Sequence, residues 1–138
     1  MSDYEAIRRL IAIYGQLLDS GRFEEWGALF ASDATFSVWG QTFRGREEIV
    51  REIGGMQPDA AGKHAILQPV IDLEGDGEAR AWTDFTALST TDDGIAVATL
   101  GRYHDRLVKL EGVWHFASRD IAIGGEALGD GIPPTPSR

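Results

Sequence analysis

Tyr14, Asp19, His64, Asp84 and Arg119 are the side chains of this sequence that stand where they could do chemistry. A phenol can polarise a carbonyl, and an imidazole moves protons near neutral pH. A carboxylate can orient that imidazole, and a guanidinium can fork onto an oxyanion. Each has a plainer reading beside the chemical one. Tyr14 lies on the apolar face of a helical stripe, so its ring belongs inside and its hydroxyl needs a partner, either backbone or a ligand. Asp19 falls well off that stripe at ~100° per residue and should face solvent if the helix continues. Ser20-Gly21 ends the helix there, however, and helical arithmetic fails in the last turn. His64 opens a strand in parity with Ile66 and Val70, as a packed histidine or as a base. Asp84 shares a strand face with Trp82 and Thr86, either as a charge facing water or as a polar spot beside the indole. Arg119 either neutralises Asp84 or holds a substrate oxyanion. His104 and His115 alternate to the side opposite Tyr103, Trp114 and Phe116 and read as outward.

Composition narrows the chemistry. The chain has 138 residues and no cysteine, so thiolate nucleophiles, Cys-ligated zinc and iron–sulfur clusters are excluded. Net charge is −9, which disfavours nucleic acid and an anionic membrane surface as partners. The start, Met1-Ser2-Asp3-Tyr4-Glu5, lacks the basic segment of a secretory signal. The apolar run from Leu10 to Leu18 is broken by Tyr14, Gly15 and Gln16 and is too short to span a bilayer. The sequence reads as a soluble cytoplasmic protein. It has no metal-spaced motif such as H-E-x-x-H, no phosphate loop and no G-x-S-x-G elbow, so no metal or cofactor is expected.

The elements that must position these groups follow from periodicity. Residues 3–19 predict a helix capped by Asp3, with Tyr4, Ile7, Leu10, Ile11, Tyr14, Leu17 and Leu18 as its stripe. A second helix is expected over Phe23 to Phe30, broken by Ser32-Asp33. Thr35 to Trp39 predicts a strand, Gly40 a turn before Gln41-Thr42-Phe43, and Gly45 to Ile53 a third helix. From residue 63 the period changes to two. Strands are expected over His64 to Leu73, Glu78 to Leu88, Ile95 to Lys109 and Val113 to Ile123. Glu74-Gly75-Asp76-Gly77, Thr91-Asp92-Asp93-Gly94 and Glu111-Gly112 supply their turns. This is an α+β chain, with a strongly curved, mostly antiparallel sheet wrapped on the first helix as a cone whose mouth is a pocket. Residues 1–123 form one domain, and 124–138, rich in Gly and Pro, an irregular tail.

Several of these residues together resemble a known family. Tyr14, Asp19, Trp26, Leu29-Phe30, Asp33-Ala34, Gly45 and Ile49 are similar to the front half of SnoaL-like proteins. These belong to the nuclear transport factor 2-like, or cystatin-like, α+β barrel superfamily. His64, Asp72, Gly75-Asp76, Ala79 and Ala81 continue the pattern, and Gly101-Arg102-Tyr103-His104-Asp105, Gly112-Val113-Trp114 and Arg119 resemble its closing strands. The subgroup most similar holds scytalone dehydratase and bile acid 7α-dehydratase. The resemblance implies that Tyr14, Asp19 and His64 are catalytic, with Asp84 and Arg119 completing the site. A second active-site tyrosine of that subgroup has no clear counterpart; Phe36 or Trp39 occupies its neighbourhood.

The function implied is a cofactor-independent lyase of the dehydratase type acting on a small, apolar, ring-containing carbonyl compound. His64, oriented by Asp19, would be the base. A ketosteroid-isomerase-like isomerase or a polyketide cyclase would use the same groups. A non-catalytic small-molecule binder or an oligomeric accessory protein is the contrasting expectation, since a fold does not fix a function. The apolar content of the sheet predicts a dimer or trimer.

Overall fold

The computed structural model describes residues 1–58 and 62–125. Helix α1, Asp3–Asp19, buries Ile7, Leu10, Ile11, Tyr14, Leu17 and Leu18 along one face, as the stripe predicts, while Tyr4 stays outside. Its cap is Ser2, whose Oγ accepts from the Glu5 N–H at 3.2 Å. Asp3, expected as the cap, instead accepts from Lys109 Nζ at 3.0 Å and Trp114 Nε1 at 2.9 Å, pinning the helix start to the sheet. The helix closes on Gly21 at φ 72°, with bonds from Gly21 N to Leu18 O and Arg22 N to Leu17 O.

Helix α2, Phe23–Gly27, is shorter than the periodicity suggests. Phe30 begins strand β1, Phe30–Val38, and Ser32-Asp33 lies within it. The reason is tertiary: the Phe116 N–H donates to Leu29 O at 2.9 Å, and the Arg46 guanidinium donates to Phe30 O at 2.6 Å, so this backbone is committed to pairing. Strand β2, Gln41–Arg44, and helix α3, Arg46–Gly55, follow. The stretch expected as one strand over 64–73 is two, β3 Gly62–Ile66 and β4 Val70–Leu73. Pro69, which has no N–H to donate, separates them.

Strands β5, Glu78–Thr91, β6, Gly94–Leu110, and β7, Val113–Ile123, form the expected meander. The sheet order is β2-β1-β7-β6-β5-β3, with β4 also beside β5. Pairing is antiparallel except for β1 against β7, which is parallel. The architecture is thus α+β with a large curved sheet, as expected, although the sheet ends on β2 and β3 and does not close. The tail from 126 onward lies outside the described residues.

The interior is aromatic. Tyr14 meets Trp26, Tyr103 and Phe116 at ring-centroid distances of 5.5, 5.7 and 5.8 Å, and Trp26 meets Phe30 at 4.9 Å. These edge-on contacts add to the area that the rings remove from water. Gly101 marks a close crossing of β6: a Cβ there would stand 2.1 Å from the Ala122 carbonyl oxygen and 3.1 Å from the Phe85 ring. Gly101→Ala should therefore force backbone apart and lose about 1–3 kcal/mol in urea unfolding. An unchanged midpoint would show that the sheet gives at this point.

Candidate active site

A cavity of about 440 Å³ opens between the C-terminal half of α1 and the inner face of the sheet. Phe36, Val38, Ile53, Phe85, Ile121 and Ile123 make much of its wall, and Tyr14, Asp19, His64 and Tyr103 bring polar groups to it.

Asp19 and His64 meet. The Asp19 Oδ2 accepts the His64 backbone N–H at 2.8 Å, and its Oδ1 lies 2.5 Å from the His64 Nδ1. The side chains are 7% and 19% exposed. Helical arithmetic pointed Asp19 at solvent. It turns inward because the last turn abuts β3, and Gly15, one turn earlier, lets that strand approach. A Cβ on Gly15 would lie 2.8 Å from the Ile66 Cδ1 and 3.4 Å from the His64 Cβ. A carboxylate at a helix C-terminus opposes the helix dipole, and α1 has no basic residue in its last turn. The strand supplies the missing donors. An ionised carboxylate only accepts, so the Nδ1 carries the proton and the Nε2 is left as the basic atom.

Tyr14 is 2% exposed and reaches the cavity from α1. Burial pushes its hydroxyl up to about 12, against the pull of the Arg119 charge. It is therefore a neutral donor at ordinary pH. Tyr103 shares the lining, stacks on Phe85 at 4.2 Å and 4°, and is held well above the usual phenol range by burial. The sequence reading missed it as a second tyrosine, although alternation already set Tyr103 opposite outward His104. Phe36 and Trp39, which the sequence places in the neighbourhood of the subgroup's second tyrosine, line the same cavity.

Arg119 and Asp84 are not brought together. Arg119 is fully buried and makes a two-pronged bond to Asp105, directly opposite on β6, at 2.7 and 2.7 Å. Its guanidinium carbon sits 4.2, 3.8 and 4.3 Å from the rings of Tyr14, Tyr103 and Phe116. It backs the two phenols from behind and does not line the cavity. Burial pushes the Asp105 carboxyl up against the pull of Arg119. For Arg119, burial favours the neutral form, but the Asp105 charge and hydrogen bonds outweigh it and hold the guanidinium protonated. Asp84 lies on the opposite sheet face, 53% exposed, and accepts from Arg102 Nε at 2.6 Å. The face it shares with Trp82 is the outer one, because Ala79, Ala81, Thr83 and Phe85 take the inside. The expectation that Asp84 completes the site is thereby corrected.

His104 lies on the outer side of the sheet, with its Nε2 buried and unbonded, and the His115 Nδ1 bonds the Val113 carbonyl at 2.9 Å. Among the described residues, no three His, Asp or Glu side chains converge as metal ligands. Nor, among them, is any helix long and apolar enough to cross a membrane.

The fold has solved counterparts. A candidate scytalone dehydratase from Novosphingobium aromaticivorans is 26% identical, with a TM-score of 0.75 over 87% of this chain and 83% of its own. A Catenulispora acidiphila protein, solved in complex with S-DNPA, is 28% identical, with a TM-score of 0.77 over 87% of this chain and 92% of its own. An NTF2-like protein with a cystatin-like fold, also from N. aromaticivorans, is 23% identical and matches in fold with a TM-score of 0.83 over 92% of this chain and 85% of its own. No curated protein matches the chain. The SnoaL-like domain profile matches residues 1–120, and the chain belongs to that family, with an NTF2-like, cystatin-like fold.

Proposed function

We propose that the protein is a cofactor-independent lyase of the dehydratase type acting on a ring-containing carbonyl compound. The observation that carries this reading is the Asp19–His64 pair set in an apolar cavity beside the Tyr14 hydroxyl. The His64 Nε2 takes a proton α to the carbonyl, or vinylogous to it, and the electron pair moves toward the carbonyl oxygen. Tyr14 and Tyr103, which both line the cavity, would donate their hydroxyls to that oxygen as charge develops. The imidazolium, stabilised by Asp19, returns its proton to the departing hydroxyl, and water leaves as the alkene forms. The enzyme ends in its starting protonation state. Arg119, held by Asp105 and packed on the rings of Tyr14 and Tyr103, would position the two phenols. Isomerisation would return the same proton to a different carbon, and cyclisation would direct the enolate at an internal carbonyl.

Removal of the base tests this directly. His64→Ala and Asp19→Asn should each lower turnover of cyclic β-hydroxy ketones by about 10²–10⁴-fold. Exchange of the α-proton into heavy water, read by NMR, should fall with it. Asp19→Asn keeps a hydrogen-bonding side chain and should melt within about 5 °C of the parent, while His64→Ala, which leaves the buried Asp19 carboxylate short of its ring donor, should cost about 1–3 kcal/mol and still fold. If both variants unfold, the pair is structural. The rate should also fall on acidification, since a protonated imidazole cannot accept the substrate proton; a rate flat between about pH 5 and 9 removes His64 as the base.

The raised Tyr14 gives a second pH signature. Above the ordinary phenol value of 10.0 the unfolded chain releases its proton while the folded chain keeps it up to about 12. Stability is therefore fully present below that ordinary value and falls as pH climbs through this window, by on the order of 2–3 kcal/mol for Tyr14. Denaturant midpoints at about pH 8 and 11 should show the drop, and Tyr14→Phe should shrink it. Equal drops in parent and variant would place the Tyr14 hydroxyl in water.

A further inference from the structure

The mouth of the cavity holds residues that the dyad chemistry leaves unexplained. Trp39 lines it yet stays 58% exposed. Trp39 opens the β1–β2 turn at φ 51°, and Gly40 follows at φ 73°. A two-residue turn with both φ values positive favours Asn-Gly or Asp-Gly, so an indole here carries steric strain and a large exposed apolar face at once. Strain of this kind concentrates at binding sites. Lys63, exposed on edge strand β3, lines the same cavity one residue before His64. Among the described lining residues the groups that can carry charge near neutral pH are Asp19, Lys63 and His64, and Asp19 is engaged by His64. In a chain of net charge −9, Lys63 brings a positive charge to that lining.

We propose that the pocket is built for a ring-bearing carboxylic acid, whose carbonyl end reaches Tyr14 and His64, whose ring face rests on Trp39, and whose carboxylate meets Lys63 at the mouth. This rests on the cavity being the substrate site and names the class of substrate. A cavity of about 440 Å³ suits a ligand of this kind. An ion pair at an open mouth is screened by water, so Lys63 acts as a selector for acids over neutral analogues, with the ring supplying most of the affinity.

Two dyes with the same rings separate these contributions: anilinonaphthalene sulfonate, whose anion stands in for the carboxylate, and neutral phenylnaphthylamine. Fluorescence titration gives the Kd of each. Lys63→Met should weaken the sulfonate about fivefold and leave the neutral dye within about twofold, while Lys63→Arg keeps both. Trp39→Asn should weaken both dyes and raise the melting temperature, because asparagine relieves the turn. Dye binding blind to Lys63→Met, or weakened equally for both dyes, overturns the acid selectivity. Binding of both dyes unchanged in Trp39→Asn overturns the ring platform. Since the readout is binding, an inert His64 with a normal dye pattern would sink only the lyase reading, and charge-blind binding would leave the dyad standing.

Discussion

A buried carboxylate at the end of a helix is the constraint around which this molecule is arranged. Asp19 sits at the negative end of α1, largely shielded from water, with no cation in the last helical turn. Left there alone it would be costly. Strand β3 answers with two donors from one residue, the His64 backbone and ring. Gly15 lets β3, which ends the sheet beside β5 among the described residues, come close to the helix. In the proposed chemistry the same contact that satisfies the carboxylate fixes the imidazole's tautomer and leaves its other nitrogen as the base.

A second buried charge pair works at one remove. Arg119 and Asp105 face each other across β7 and β6 beneath the rings of Tyr14 and Tyr103. Breaking such a pair on one side strands a charge in the interior, at a cost of about 3–5 kcal/mol. Its place in the fold is structural and electrostatic together: the guanidinium packs the tyrosines that line the cavity, and its charge opposes the rise that burial imposes on their hydroxyls. Helix, strand and aromatic core thus converge on one hollow.

Much of this was legible in the residues. The stripe of α1, the three hairpin turns and the bounds of β7 follow from local period and turn chemistry. The start of β1 was not legible, because Phe30 leaves the helical pattern only when the Leu29 carbonyl accepts from Phe116 of β7 and the Phe30 carbonyl accepts from Arg46 of α3. Alternation divided β5 correctly into two faces, yet it does not say which face is inside, and Asp84 went to the wrong one. Of the two readings of Arg119, neutralising Asp84 or holding an oxyanion, neither named Asp105, for a related reason. Asp84 and Asp105 both precede it on strands, and only the β6–β7 register sets Asp105 opposite. The Asp19–His64 contact came from resemblance, since ideal helical geometry argued against it.

In the proposed chemistry Asp19 holds the proton on the His64 Nδ1 and leaves the Nε2 as base. Nitrogen-15 NMR of the His64 ring, at the pH of maximal turnover, reads this most directly. The account requires a protonated Nδ1 with a strongly deshielded proton, an unprotonated Nε2, and loss of that pattern in Asp19→Asn. A ring protonated at Nε2 instead, or one whose spectrum ignores Asp19→Asn, would contradict it.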